Sequence, residues 1–359
     1  MKKKALAISM VLAMTLGLTA CGSSNSGSTA ATTAAATEAA TTAAAAAGST
    51  EAATAAADGV AAPEGFPKES VNMFVHAAAG GGSDAMARTI GAVMEKGLGV
   101  PVVVDNKTGG TGSVCWQTLI NSKADGYTIS TVASELTYIG ALGYAEIGPD
   151  DVDFLGLCQS WSGSLVVPAD SEWNTFEDFV NYCKANPGQV SVGDGGTGNI
   201  WQLAAYLMER ETEIEVNHVP FDGASGEMTA LLGGHCDAIV VGASEAKANI
   251  DSGAMKCLLV FNDKASSAAP DAPIAPDAGY PGLICNVWVG IGCPKGLPDD
   301  VKAYLVDQVK TAVNSDTFKS YTEERGTDWN YMAPDEFYAM AKADSEKYST
   351  LIDDLDLAQ

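Results

Sequence analysis

Strands and single helices alternate along most of this chain, and three of the strand-to-helix turns are built almost entirely of glycine. Val71–Val75 reads as a strand, and Asp84–Leu98 then carries Met86, Ile90, Val93, Met94 and Leu98 at helical spacing. Val102–Val104 and Tyr127–Val132 read as strands around a helix at Val114–Ile120. Further strands are expected at Leu165–Val167, Val190–Val192, Ile214–Val219, Ala238–Val241, Leu258–Phe261 and Val287–Gly292. Helices fall between them at Phe176–Ala185, Ile200–Glu211, Glu227–Leu232 and Ala246–Ser252. Three more close the chain, at Asp299–Asn314, Thr317–Arg325 and Asp335–Leu351. Strands separated by single helices predict an α/β protein with parallel sheets covered by helices on both faces.

The glycine turns are the candidate functional loops. They are Ala79-Gly80-Gly81-Gly82-Ser83-Asp84, Gly109-Gly110-Thr111-Gly112 and Gly195-Gly196-Thr197-Gly198-Asn199. Glycine permits close backbone approach, and the start of a helix offers unpaired N–H groups with a partial positive charge. Such a turn can cradle an anion, and ligands of open α/β sheets bind at the carboxyl ends of the strands, where these turns lie. The competing reading is a tight connection with a side-chain cap, from Ser83 or Asp84 in the first loop and Thr197 or Asn199 in the third.

Charge narrows the partners. Lys and Arg number 20 against 45 Asp and Glu, a net charge of −25. No basic surface is available to neutralise phosphates, so nucleic acid is excluded as a partner. The amino terminus is an address. Met1-Lys2-Lys3-Lys4 precedes an apolar run from Ala5 to Leu18, as in a secretory signal peptide spanning residues 1–20. Leu18-Thr19-Ala20-Cys21 resembles a lipobox, which makes Cys21 the expected site of lipidation and of membrane attachment. Cleavage there leaves 17 basic against 45 acidic residues, a charge of −28. Residues 21–65 are Ala, Thr, Ser and Gly with almost no large apolar side chain, so a disordered tether is expected. The remaining seven cysteines show no C-x-x-C spacing and sit among apolar residues, as small buried hydrophobes do.

Enzymatic and cofactor readings lack support. Gly193-x-Gly195-x-x-Gly198 matches a dinucleotide fingerprint, but Glu213 and Glu215 fall near the start of the following strand rather than at its carboxyl end. No cofactor is expected. The only histidines are His76, His218 and His235, none beside a second metal ligand in sequence. Gly242-Ala-Ser244-Glu-Ala lacks the closing glycine of a nucleophile elbow.

The order of motifs resembles one family. Gly80-Gly81-Gly82-Ser83-Asp84-x-x-Ala87-Arg88, Asn106-Lys-Thr-Gly109-Gly110-Thr-Gly112, Asp125-Gly126-Tyr127, Val219-Pro220-Phe221-Asp222-Gly223-Ala224 and Leu231-Leu-Gly233-Gly234-x-x-Asp237 follow one another. In that sequence they resemble the substrate-binding proteins of tripartite tricarboxylate transporters (TctC, or Bug, proteins). Ala79 stands where many members have Pro, and Phe221-Asp222 replaces a commoner Tyr-Lys or Tyr-Arg. The resemblance implies a two-lobed type II periplasmic-binding-protein fold with a ligand cleft between the lobes. Lobe one would hold residues 66–160 and 262–359, and lobe two residues 161–261. It also implies a carboxylate held on Ala79, Gly80, Gly81, Gly82, Ser83 and Asp84 and closed upon by Gly195, Gly196, Thr197, Gly198 and Asn199. Ser134, Phe221, Gly223, Ala224 and Ser244 would face the cleft, and Arg88 would be structural. The implied partners are a small organic acid and the small and large transmembrane permease subunits, with the receptor itself monomeric. The alternative from another class is a sensory lipoprotein that reports a carboxylate to a membrane signalling partner.

Overall fold

The structure, a computed structural model, describes residues 59–358 other than Thr197 and Asp222. The signal segment, Cys21 and nearly all of the expected tether lie outside the described residues. So do the Thr197 and Asp222 assignments.

The described chain carries ten strands and nine α-helices in the order β1 Val71–Val75, α1 Gly82–Leu98, β2 Val102–Asn106, α2 Ser113–Ile120, β3 Thr128–Ala133, β4 Val152–Pro168, α3 Phe176–Ala185, β5 Ser191–Asp194, α4 Ile200–Thr212, β6 Asn217–Pro220, α5 Ala224–Leu232, β7 Ala238–Gly242, α6 Ala243–Asp251, β8 Met255–Val260, β9 Asn286–Pro294, α7 Asp299–Val313, α8 Asp316–Arg325, β10 Asp328–Met332 and α9 Pro334–Asp354. The strand order is β2-β1-β3-β9-β4-β7-β5-β6, with β8 and β10 also paired to β4. β1, β2 and β3 are parallel, as are β5, β6 and β7. The middle departs from the expected parallel sheet, because β9 runs antiparallel to both β3 and β4, and β4 runs antiparallel to β7 and β8.

β4 explains the departure. It is 17 residues long; residues Val152–Ser162 pair with β9, and Gly163–Pro168 pair with β7 and β8. One strand therefore belongs to both halves of the molecule. Sequence patterning predicts only its last stretch, because β4 is buried on both faces and shows no period-two alternation. β10 carries no apolar signal either, since its Asp-Trp-Asn-Tyr-Met run is mostly half-exposed.

Each half has its own core. The first gathers Met73, Ile90, Trp116, Ile129, Ile291, Leu305 and Phe337. The second gathers Leu165, Phe179, Val192, Leu203, Val240 and Leu259. Ala275, Leu283 and Cys285 also pack into the second core. α9 feeds both, with Phe337 and Ala341 in the first and Tyr348, Leu351 and Ile352 in the second. The cysteines from Cys115 to Cys293 are free, all buried except the half-buried Cys257. Burial pushes the Cys183 and Cys293 thiols up to about 12, the range of inert core cysteines.

Phe337 is fully buried, edge-on to Phe154 at 4.6 Å and to Trp288 at 5.0 Å. Truncation to alanine leaves a ring-sized cavity in the first core. Phe337→Ala is expected to cost about 3–5 kcal/mol of unfolding free energy, read as a fall in the urea midpoint at unchanged slope.

Candidate functional site

α1 starts where β1 ends, and its first turn is assembled by hydrogen bonds within the loop. Helix geometry leaves the amides of the first turn without intrahelical acceptors. Gly80 N–H donates to Asp84 Oδ2 at 2.8 Å, and Gly81 N–H donates to the Ala78 carbonyl at 3.1 Å. The helix begins at Gly82 with Gly81 as N-cap and no side-chain cap, so neither Ser83 nor Asp84 caps it as the sequence suggests. The next amides, Gly82 and Ser83, remain available.

Asp84 holds this cradle from inside. Its carboxylate is buried and accepts from Arg88 Nε at 3.0 Å, from Asn106 Nδ2 at 2.9 Å and from Gly80. The Arg88 hydrogen bond, outweighing burial, lowers its pKa to about 2. Asp84 thereby shapes the loop, and Arg88 bridges Asp84 and Asn106. Ser83 is oriented from beneath by His76, whose Nε2 lies 3.4 Å from its hydroxyl while Nδ1 meets Thr131 Oγ1 at 2.8 Å. Burial lowers the His76 pKa, so the ring is neutral.

Gly82 and Ser83 open onto a cavity of about 350 Å³, within the range of small-molecule sites. Ser244 and Glu245, in the first turn of α6, line the same cavity. Gln159 and Trp161 of β4 lie between the two helix tips, and Tyr321, Arg325 and Thr327 complete the wall. Tyr321 Oη donates to the Gly82 carbonyl at 3.2 Å, which ties α8 to the first loop. The Arg325 guanidinium lies over the Tyr321 ring at 5.1 Å and makes no ion pair among the described residues. On the opposite wall Glu245 Oε2 accepts from Gly242 N–H at 2.9 Å, and its carboxylate also meets the Trp201 side chain. Crowding by the surrounding protein raises the Glu245 pKa although the side chain remains reachable from the cavity.

Of the expected site residues, Gly82, Ser83 and Ser244 therefore meet at one cavity. Ala79, Gly80 and Gly81 form the loop leading to it. Ser134 is buried after β3, with its carbonyl accepting from the Thr137 hydroxyl at 2.6 Å. The described residues of the Gly195–Asn199 loop do not line this cavity. Asn199 caps α4 by accepting from Trp201 N–H at 2.9 Å, and Gly198 N–H is taken by Gln202 Oε1 at 3.0 Å. Gly196 N–H donates to Asp194 at 2.9 Å, and a β-carbon on Gly198 would lie 2.9 Å from the Tyr144 hydroxyl. The α1 and α6 tips line this cavity together, whereas at the α4 start the Gly198 and Trp201 amides are taken by the side chains of Gln202 and Asn199. Phe221 packs under Gly193 and Gly226, beside Gly223 and Ala224 at the head of α5, and none of these three lines the cavity. The second glycine loop is a tight connection, since a β-carbon on Gly112 (φ +92°) would sit 2.7 Å from Trp116.

The sequence offered one usable signal for the cavity residues it did not predict. The Gln159-Ser160-Trp161-Ser162 stretch breaks the apolar run of β4 between Leu157 and Leu165. Nothing local marks Arg325, which ends α8 before the left-handed Gly326 like many exposed helix-terminal arginines.

Comparison with known proteins agrees with this architecture. The family model for the "Tripartite tricarboxylate transporter family receptor" (TctC) matches residues 86–357. The chain belongs to the TctC family. This is a family of solute-binding proteins, not of enzymes. A TctC solute-binding protein from Polaromonas, solved without ligand, is 29% identical with a TM-score of 0.75, over 80% of this chain and 99% of that one. MatC from Rhodopseudomonas palustris, solved with bound malate, is 23% identical with a TM-score of 0.65, over 80% of this chain and 100% of that one. The curated protein BugT of Bordetella pertussis is 26% identical over 72% of this chain and 81% of its own length. These likenesses establish the two-lobed fold.

Away from the cavity, His218 pins the third loop in this family member. Its Nδ1 meets Asp194 Oδ2 at 2.9 Å and its Nε2 meets Glu209 Oε2 at 3.0 Å, with the Tyr206 ring tilted against it at 4.2 Å. Burial opposes the charged ring, but the hydrogen bonds to Asp194 and Glu209 overcome it and lift the pKa to about 9. A folded pKa above the unfolded value of roughly 6.5 stabilises fully below the unfolded value. That contribution is lost as pH rises through about 9. The stability difference between the protein and His218→Asn is expected to be constant below about pH 6. It should then shrink toward zero by pH 9–10, with a ceiling of about 3 kcal/mol from the size of the pKa rise. Urea titrations of both proteins across this range check it.

Proposed function

We propose that this protein is an extracytoplasmic, lipid-anchored receptor that captures a small organic carboxylate between its lobes and delivers it to a two-subunit membrane permease. The observation that carries the reading is the open first turn of α1. Gly82 and Ser83 present unpaired amides and a hydroxyl to a cavity, at the positive end of a 17-residue helix. Arg325 adds a full positive charge without a carboxylate partner among the described residues. A carboxylate bridging these donors gains charge-assisted hydrogen bonds of roughly 1.5–3 kcal/mol each. Three or four of them approach the roughly 8 kcal/mol of micromolar binding before the cost of closure. Malate in MatC and adipate in a second Rhodopseudomonas palustris protein of this fold are ligands of the same class.

Lobe one then comprises residues 66–160 with the carboxyl-terminal part, and lobe two begins at Trp161. Residues 262–285 are better placed in lobe two than in lobe one, because Ala275, Leu283 and Cys285 pack into its core. The export signal and Cys21 support work outside the cytoplasm. No helix among the described residues is long and apolar enough to cross a membrane.

Gly82 tests the binding site with little risk to the fold. Its φ is not left-handed and a β-carbon there meets nothing within 4 Å. Gly82→Val is expected to weaken carboxylate binding at least tenfold, in calorimetric titration, while leaving the melting temperature within about 2 °C. Unchanged affinity rejects the site. Cys21→Ser is expected to move the protein from the membrane fraction to the soluble extracytoplasmic fraction, read by fractionation and by loss of the lipid mass. Loss of acid uptake on deleting the protein, with transcription unchanged, separates transport from sensing.

A further inference from the structure

We propose that the cleft selects a zwitterion: a small acid carrying a protonated amine, whose carboxylate is held by the α1 tip and Arg325 and whose ammonium is held by Glu245. The inference rests on the carboxylate reading above and narrows the ligand class. Its ground is the opposition of charges within one cavity of about 350 Å³. On one wall stand the Gly82 and Ser83 amides and Arg325, all donors. On the other stand the Ser244 hydroxyl and Glu245, whose carboxylate is the one acidic group lining the cavity among the described residues.

Each of these groups is held in place. Arg325 rests on the Tyr321 ring at 5.1 Å, and Tyr321 is bonded to the Gly82 carbonyl at 3.2 Å, so guanidinium and helix tip form one rigid wall. Glu245 is fixed by Gly242 N–H at 2.9 Å and by Trp201, which orients its carboxylate at the head of α6. Gln159 adds an independent indication. It is 1% exposed and lines the cavity, its amide bonds the Tyr321 hydroxyl, and its Oε1 has no partner.

A ligand made only of carboxylates and carbon has no donor to offer at neutral pH. It would set a second negative charge against Glu245 and leave the Gln159 oxygen unpaired. A hydroxyl supplies a donor without charge. An ammonium supplies three donors and the charge that Glu245 lacks. Overall charge points the same way. The chain carries −25, so a ligand with no net charge approaches without the long-range repulsion an oligo-anion meets.

The test uses matched acids that differ only at carbon 2: butyrate, 2-hydroxybutyrate and 2-aminobutyrate, and succinate, malate and aspartate. Calorimetric affinities are measured for the protein and for Glu245→Gln and Arg325→Gln; Gln at 245 retains an oxygen for Gly242 N–H, so α6 keeps its cap. In at least one set the amino acid is expected to bind tenfold or more tightly than its unsubstituted and hydroxylated counterparts. Glu245→Gln should remove that preference while changing the unsubstituted acid less than threefold. Arg325→Gln should weaken every acid in the set by a similar factor. If in neither set the amino acid binds more tightly than both its unsubstituted and hydroxylated counterparts, the proposal is overturned and the carboxylate reading stands. An amino preference that survives Glu245→Gln also overturns it. Binding of no acid in either set, with Gly82→Val equally inert, overturns the carboxylate reading as well.

Discussion

Three backbone segments meet at Gly163, and the geometry of the cleft follows from that meeting. Gly163 N–H donates to the Cys285 carbonyl at 2.8 Å, Phe261 N–H donates to the Gly163 carbonyl at 2.8 Å, and Cys285 N–H donates to the Phe261 carbonyl at 2.9 Å. The chain crosses between the halves at β4, comes back to the junction at Phe261, and recrosses into β9 after Cys285. A side chain at Gly163 would press on Phe261, Trp201 and Cys285, at 3.2, 3.3 and 3.4 Å. Beside the crossing, Asn262 Nδ2 donates to Ser162 Oγ at 2.8 Å and Asn286 Nδ2 reaches Asn262 Oδ1 at 3.3 Å. Buried backbone groups need partners, and this ladder supplies them where the two sheets part.

Because β4 passes through that junction, its side chains face the space between the two halves. Gln159 and Trp161 stand there, just before Gly163, with α1 offered from one sheet and α6 from the other. The same rule places both helices: each follows a strand, β1 and β7, and starts at that strand's carboxyl end, where α/β proteins bind their ligands. Their first turns differ in what they offer. Asp84 turns its carboxylate inward to the loop and leaves the α1 amides open, whereas Glu245 closes the α6 cap and presents its charge to the cavity.

Glu227 lies behind this wall with both carboxylate oxygens unpaired, and burial first, then Glu245 and Asp194, raise its pKa to about 8. It is mostly neutral at pH 7, which limits the negative charge of the lobe-two wall to what Glu245 carries. His218 does the reverse for Asp194, matching a buried carboxylate with an imidazolium.

Local patterning determined much of this protein. The strand and helix positions, the family and the anion-binding character of the first glycine loop all follow from periodicity, glycine placement and motif order. Those signals act over a few residues: β1 and α3 match their sequence expectations, and α1 differs only in starting two residues earlier. Tertiary structure decided which helix tip faces α1. The glycine loop before α4 looks like a cradle in sequence, yet Asp194 and Gln202 take its Gly196 and Gly198 amides, whereas the α6 start carries no glycine run and reaches the cavity. It also decided that Arg325 joins the site, because α8 is brought to the first loop by Tyr321 across more than 230 residues of chain. Hydrogen-bond competition at a helix start and long-range packing are properties of the folded backbone, and no window of sequence contains them.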